Sequence, residues 1–181
     1  MCYKGYSIDH GGANVKRLLL ISLLLPLIGT ANAQAPSQPT GVLSPTQLQA
    51  VFPATVYFNG QMTTAQMRNT GGVRWSEGKQ TLFGMVDSGG YSTGMRERYQ
   101  FYILTDVPVE IDGKHLPAGA YGAGFLTDRG FEVMDLGGTE LFHAPVQHDA
   151  GMRRPRPLLV TAAANGHYRL YLGRDYVEFS R

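Results

Sequence analysis

His143, His148 and Asp149 fall within one short stretch and are side-chain types that hold zinc or iron. Ligands on one face of a strand need even spacing, and 143 to 148 is odd, so Pro145 would have to bend the chain between them. His115 or Asp135 is available to complete such a site from elsewhere. The competing reading is that scattered loop histidines are simply polar. A second candidate is Asp87-Ser88-Gly89-Gly90-Tyr91-Ser92, which sets Ser88 on a tight turn after a strand, with Tyr91 beside it. A serine nucleophile also needs a histidine base and oxyanion donors, and this pattern is not G-x-S-x-G. Without them the segment is a glycine-rich loop at the end of a β domain, exposing Ser88 and Tyr91 for binding.

The one charge cluster is Arg153-Arg154-Pro155-Arg156-Pro157. Three guanidiniums stiffened by two prolines suit a phosphate, a sulfate or an acidic polymer. The plain alternative is a solvated loop with an acidic neighbour such as Asp149. Trp75, Tyr91, Tyr102 and Tyr171 could line a flat face for sugar or lipid, or could be ordinary core and cross-strand aromatics. No motif calls for a cofactor.

These residues need elements to hold them, and the chain declares its organisation from the start. Lys16-Arg17, an apolar run from Leu18 to Ile28, and Ala31-Asn32-Ala33 have the order of a secretory leader. At 1.5 Å per residue the run reaches about half of a ~30 Å hydrocarbon core, which suits a cleaved segment rather than a permanent span. The reading is therefore a signal peptide over 1–33, a Pro-rich lead over 34–43 and one domain over 44–181. Export to the periplasm or the medium follows from it.

The leader would carry Lys4, Lys16, Arg17 and Asp9 of the chain's 16 basic and 14 acidic residues, so charges beyond Ala33 balance. A neutral domain has no general field for nucleic acid or an anionic membrane surface. Every basic residue there is arginine except Lys79 and Lys114. The single cysteine is Cys2, which leaves the mature segment without a disulfide, a thiolate nucleophile or a lipid anchor at the cleavage point.

Ser44, Pro45 and Gln47 form a capping box with proline at the first helical position, and Leu43 and Leu48 occupy the staple positions. Pro53 ends that short helix near Phe52. After it, runs rich in Val, Tyr, Phe and Thr, among them Gln61–Arg68 and Val73–Trp75 as separate strands, alternate with turns at Asn59-Gly60, Gly78, Asp112-Gly113, Gly130 and Asn165-Gly166. About ten strands at this spacing predict an all-β antiparallel sandwich, or a closed barrel, with one short N-terminal helix. The longest expected strand, Arg96–Thr105, is apolar on both faces and is therefore placed centrally.

Asp112-Gly113-Lys114-His115-Leu116-Pro117-Ala118-Gly119-Ala120-Tyr121-Gly122 resembles a motif of exported bacterial β-domain proteins of unassigned function. In that group a strand ends at a DG turn, and L-P-A-G-x-Y leads into the next core strand. Residues 86–92, 153–158 and 168–174 resemble a narrower set of the same proteins. The resemblance implies an exported β domain and brings neither an activity nor residue roles. The functional expectation is thus a non-catalytic envelope protein that binds an anionic ligand or partner through loops 87–94 and 149–157, with Arg153, Arg154 and Arg156 foremost. The alternatives are a small hydrolase or metalloenzyme using Ser88 or His143, His148 and Asp149, and a barrel-type small-molecule binder.

Overall fold

A computed structural model describes residues 40–181 of the 181-residue chain. The segments expected to be a leader and a Pro-rich lead, up to residue 39, lie outside the described residues.

Along the chain, β1 (Gly41–Val42) and α1 (Pro45–Val51) precede β2 (Thr55–Phe58), β3 (Gln61–Arg74) and β4 (Gln80–Val86). Next come α2 (Thr93–Arg98), β5 (Phe101–Thr105), β6 (Val109–Ile111), β7 (Lys114–Leu116), β8 (Gly119–Leu126) and β9 (Gly130–Met134). The last are β10 (Glu140–Ala144), β11 (Gln147–His148), β12 (Arg156–Ala162), β13 (Tyr168–Gly173) and β14 (Asp175–Ser180). Every pairing is antiparallel. One sheet runs β1-β3-β4-β5-β8-β9-β10 with β2 added to β3; the other runs β12-β13-β14-β6-β7 with β11 added to β14. Neither closes on itself, so the sandwich is the fold and the closed barrel is not.

Phe83, Phe101, Ile103 and Val133 of the first sheet meet Leu170, Val177 and Phe179 of the second in the inter-sheet core. The first sheet is also covered on its other face. There Tyr102 and Met134 pack under Leu48 and Phe52 of α1 and its cap, Phe58 of β2, and Tyr99 at the end of α2. Burial on both sides is what the two-sided apolar pattern of β5 requires, since each fully buried large side chain contributes about 1.5–3 kcal/mol. No helix among the described residues is long and apolar enough to cross a membrane.

The turn chemistry acts as the residue types demand. Asn59, Asp112 and Asn165 take φ of 45°, 43° and 55°, each followed by a glycine at positive φ, as primed hairpin turns need. Ser44 closes its capping box with Gln47. In the LPAGxY segment the Tyr121 hydroxyl donates to the Pro117 carbonyl at 3.0 Å, and its ring lies over Gly119, where a Cβ would come within 2.9 Å of the phenol oxygen.

Two expectations are corrected. The strand expected over Arg96–Thr105 begins only at Phe101, because residues 93–98 form α2, capped by Ser92, whose Oγ accepts from Met95 N–H. Gly124 makes room for that turn: the Arg98 carbonyl lies where a Cβ on it would stand. Separately, β3 runs unbroken through Gly71-Gly72, a stretch read as a gap between strands. Gly71 belongs inside the strand because β12 crosses it closely; a Cβ there would meet Val160 at 2.7 Å and Leu158 at 2.8 Å. At the other end of the domain, order begins ahead of the helix cap. Gly41 and Val42 pair with Arg74 and Val73, and Leu43 is buried.

Candidate functional site

The three residues offered as metal ligands have three different sets of partners. His143 lies on β10 opposite Glu132 of β9, and its Nε2 is 3.1 Å from Glu140 Oε1. His148, on β11, bonds through Nδ1 to Asp175 Oδ1 at 2.6 Å. Asp149 accepts from the Tyr171 hydroxyl at 3.2 Å and from Gly151 N–H at 3.0 Å. The expected completing residues are occupied too: His115 pairs with Glu110, and Asp135 accepts from the N–H groups of Gly137 and Thr139 in its own turn. Among the described residues, the one group of His, Asp or Glu donors close enough to share an ion is Glu132, Glu140 and His143. It does not suit a cation. Glu132 is fully buried, and Arg98 engages it through both Nε and Nη2, so a guanidinium already stands on both carboxylate oxygens. The same bond pushes the Arg98 pKa up.

The Ser88 loop is tied to the domain through Tyr91, while most of its other residues are exposed. The Tyr91 hydroxyl donates to the Phe58 carbonyl at 2.9 Å and its ring lies edge-on to Phe58 and Tyr99, which pins the β2–β3 hairpin to the sheet. Burial pushes that phenol upward in pKa, as for any hydroxyl kept from water. Asp87 accepts from Gly89 N–H, and Ser88 offers its carbonyl to Tyr91 N–H at 3.0 Å. Among the described residues no histidine or carboxylate bonds to the Ser88 side chain. Ser88, His115, His143, His148 and Asp149 form no hydrogen bond with one another. Trp75, Tyr91, Tyr102 and Tyr171 are all buried and offer no stacking face.

The arginine run has a different setting. Arg153, Arg154 and Arg156 are exposed and have no ion-pair partner among the described residues; Asp149 is turned to Tyr171 instead. Arg156 opens β12 and lines a groove of about 320 Å³ between β12, α1 and the middle of β3. Arg68 lines the same groove, is exposed, and likewise lacks an ion-pair partner. Leu43, Leu48, Met67, Leu158 and Val160 supply apolar lining. Sequence reading missed Arg68, since it looked like an ordinary strand end; nothing local signals that β3 carries it to the edge of β12.

A larger cleft of about 680 Å³ lies where the β8–β9 turn, the β10–β11 link and the β13–β14 turn meet. His148, Asp175 and Arg129 are among the residues that line it. Both partners of that pair are more than half exposed, which marks a surface contact. Comparison of the chain with known protein families, curated proteins and solved structures gives no match.

Proposed function

We propose that this chain is an exported, non-catalytic β domain of the bacterial envelope that binds an anionic ligand through its exposed arginines Arg153, Arg154, Arg156 and Arg68. The observation that carries the reading is that these four exposed guanidiniums have no ion-pair partner among the described residues, and that two of them, Arg68 and Arg156, line a groove. Other arginines of the domain are bonded: Arg98 to Glu132, Arg169 to Glu178 and Arg174 to the Met152 carbonyl. An unbonded guanidinium keeps its donors for a ligand, and Pro155 and Pro157 limit the entropy lost when the run engages one. Export rests on the order of residues 16–33, and the envelope setting on the resemblance of the 112–122 segment. Loop 87–94 contributes less to this reading than the arginines, because Tyr91 is buried with its hydroxyl bonded and Ser92 caps α2.

Calorimetry with inorganic pyrophosphate at low salt tests the reading. The parent should bind, and the double variant Arg153→Ala/Arg154→Ala should bind at least about tenfold more weakly, since a hydrogen bond to a charged group contributes about 1.5–3 kcal/mol. Equal affinities would remove Arg153 and Arg154 from the site and leave Arg68 and Arg156 to be tested.

A catalytic reading has one observation in its favour. Asp175 holds His148 Nδ1 at the edge of the larger cleft, the orientation that leaves Nε2 as the free base. A panel of activated ester and phosphoester substrates, run on the parent and on His148→Ala, separates the two readings. Turnover lost in the variant would support catalysis; no turnover in either protein would leave binding as the function.

A further inference from the structure

The groove beside Arg156 is built by two irregularities that face each other. In β3, Ala65 stands opposite Val86 of β4 and Thr70 opposite Gly84, so residues 66–69 bulge out against Met85 alone. In β12, Arg156 stands opposite Gly173 of β13 and Leu159 opposite Tyr171, which leaves Pro157 and Leu158 against Leu172 alone. Bulges re-aim side chains. Here Arg68 belongs to one bulge and Arg156 borders the other, while Met67 and Leu158, their near neighbours, line the same groove. The bulge in β3 is secured by its own side chains: Asn69 Nδ2 donates to Gln66 Oε1 at 2.8 Å, and Thr70 Oγ1 to the Met67 carbonyl at 3.1 Å. Below it, the close crossing at Gly71 shuts the floor against Val160 and Leu158.

The lining joins two chemistries. Leu43, Leu48 and Met67 belong to or pack on the outer core, and Leu158 and Val160 belong to the inter-sheet core, so the floor is the seam where both cores reach the surface. Its cations are Arg68 and Arg156. A bare anion would leave the apolar floor wet, and an uncharged chain would leave both guanidiniums unused. A cavity of about 320 Å³ is at the small end for ligand sites. Taking a methylene as similar to water's ~30 Å³ share of liquid, it accommodates about ten carbons, hence one chain rather than two.

We infer that this groove binds a single-chain anionic amphiphile as a monomer, with the head group on Arg68 and Arg156 and the hydrocarbon tail along the floor between the bulges. The inference rests on the anion-binding reading above and narrows it to one ligand class. Each methylene that enters should tighten binding by up to about fourfold, and the gain should stop once the groove is full.

The test uses the mature domain with inorganic phosphate and with butyl, octyl and decyl phosphate below their micelle concentrations, plus phosphatidylglycerol vesicles as a separate arm. Affinity should rise from phosphate to the longer chains. Gln49→Trp, at an exposed groove-lining position on α1, should abolish that rise while leaving phosphate binding intact. Arg68→Ala/Arg156→Ala should weaken every alkyl phosphate. Arginine-dependent binding that ignores chain length would overturn the amphiphile and leave the anion reading standing. A chain-length gain that survives Gln49→Trp would place the tail elsewhere and also overturn it, as would binding to vesicles alone. If phosphate and alkyl phosphates bind the parent and all arginine variants equally, or bind none of them, the anion reading falls as well.

Discussion

Arg98 and Arg156 are the same side chain in opposite circumstances. Arg98 reaches from the end of α2 across the first sheet to a glutamate that water does not touch, and engages both of its oxygens. Arg156 stands at the edge of the second sheet with no carboxylate near enough to pair. The difference separates arginines that hold the fold from those that remain available. Burying Glu132 alone would cost several kcal/mol, so its partner cannot be spared. Exposed guanidiniums add nothing measurable to stability and keep their hydrogen-bonding capacity.

The largest effect expected from this contrast is at the buried pair. Arg98→Ala should lower unfolding free energy by about 3 kcal/mol, toward the low end for broken buried pairs because Arg98 itself is partly in water. Arg98→Met/Glu132→Leu should recover most of the loss, since two apolar groups replace both charges. Urea unfolding of the three proteins decides this; a loss under about 0.5 kcal/mol for Arg98→Ala would show that the pair does not hold α2 on the sheet.

The same outer core contains a smaller defect. Tyr99 is fully buried, stacks on Phe58 with ring centroids 3.9 Å apart, and its hydroxyl has no hydrogen-bond partner among the described residues. Burial drives its pKa far up. Tyr99→Phe keeps the stacking and removes the unsatisfied oxygen, so it should raise stability by about 1 kcal/mol. A loss of stability on thermal unfolding would mean that the hydroxyl is bonded in solution, for instance to a buried water.

These two sites also show where sequence reading stops. The Asn-Gly and Asp-Gly turns, the Ser44 capping box and the two-sided pattern of β5 are local signals, and each is found in place. Arg98 and Glu132 are 34 residues apart, and only the order β5-β8-β9 brings them together. The helix over 93–98 was hidden for another reason: Gly94 and a preceding glycine-rich loop depress helix propensity, and the close seat above Gly124 overrides it. In the groove, Arg156 was legible as part of a charge cluster. Arg68 was not, because a bulge of four residues leaves no periodic mark and its partner strand lies far along the chain.

A weaker effect than Tyr99→Phe is expected at Asp112, half-buried in its turn at φ 43° and accepting from Glu178 N–H at 3.2 Å. Burial raises its carboxyl above the ordinary 3.8; the hydrogen bond from Glu178 N–H opposes that rise, and the Glu178 carboxylate charge adds a smaller push upward. A group whose folded pKa is raised binds its proton more tightly in the native state. Its contribution is therefore present below the ordinary value and is lost as pH rises through the folded value. Asp112→Asn keeps the acceptor and suits the positive φ, so it should flatten the decline in stability that begins near pH 4. An identical pH profile for parent and variant, by urea unfolding, would show that the carboxyl is not the source.

The smallest expected change in stability is the most informative for function. Arg153→Ala/Arg154→Ala removes two exposed guanidiniums that bond to nothing among the described residues, so unfolding free energy should stay within about 0.5 kcal/mol of the parent. Arg98→Ala should do the reverse: it should destabilise the domain while leaving pyrophosphate affinity of the folded protein unchanged, because Arg98 is committed to Glu132. Stability and affinity that separate in this crossed manner would establish the division between the two kinds of arginine. If the double variant unfolds as readily as Arg98→Ala, the 153–156 run is holding the end of the sandwich together, and the ligand must be sought in the cleft beside His148.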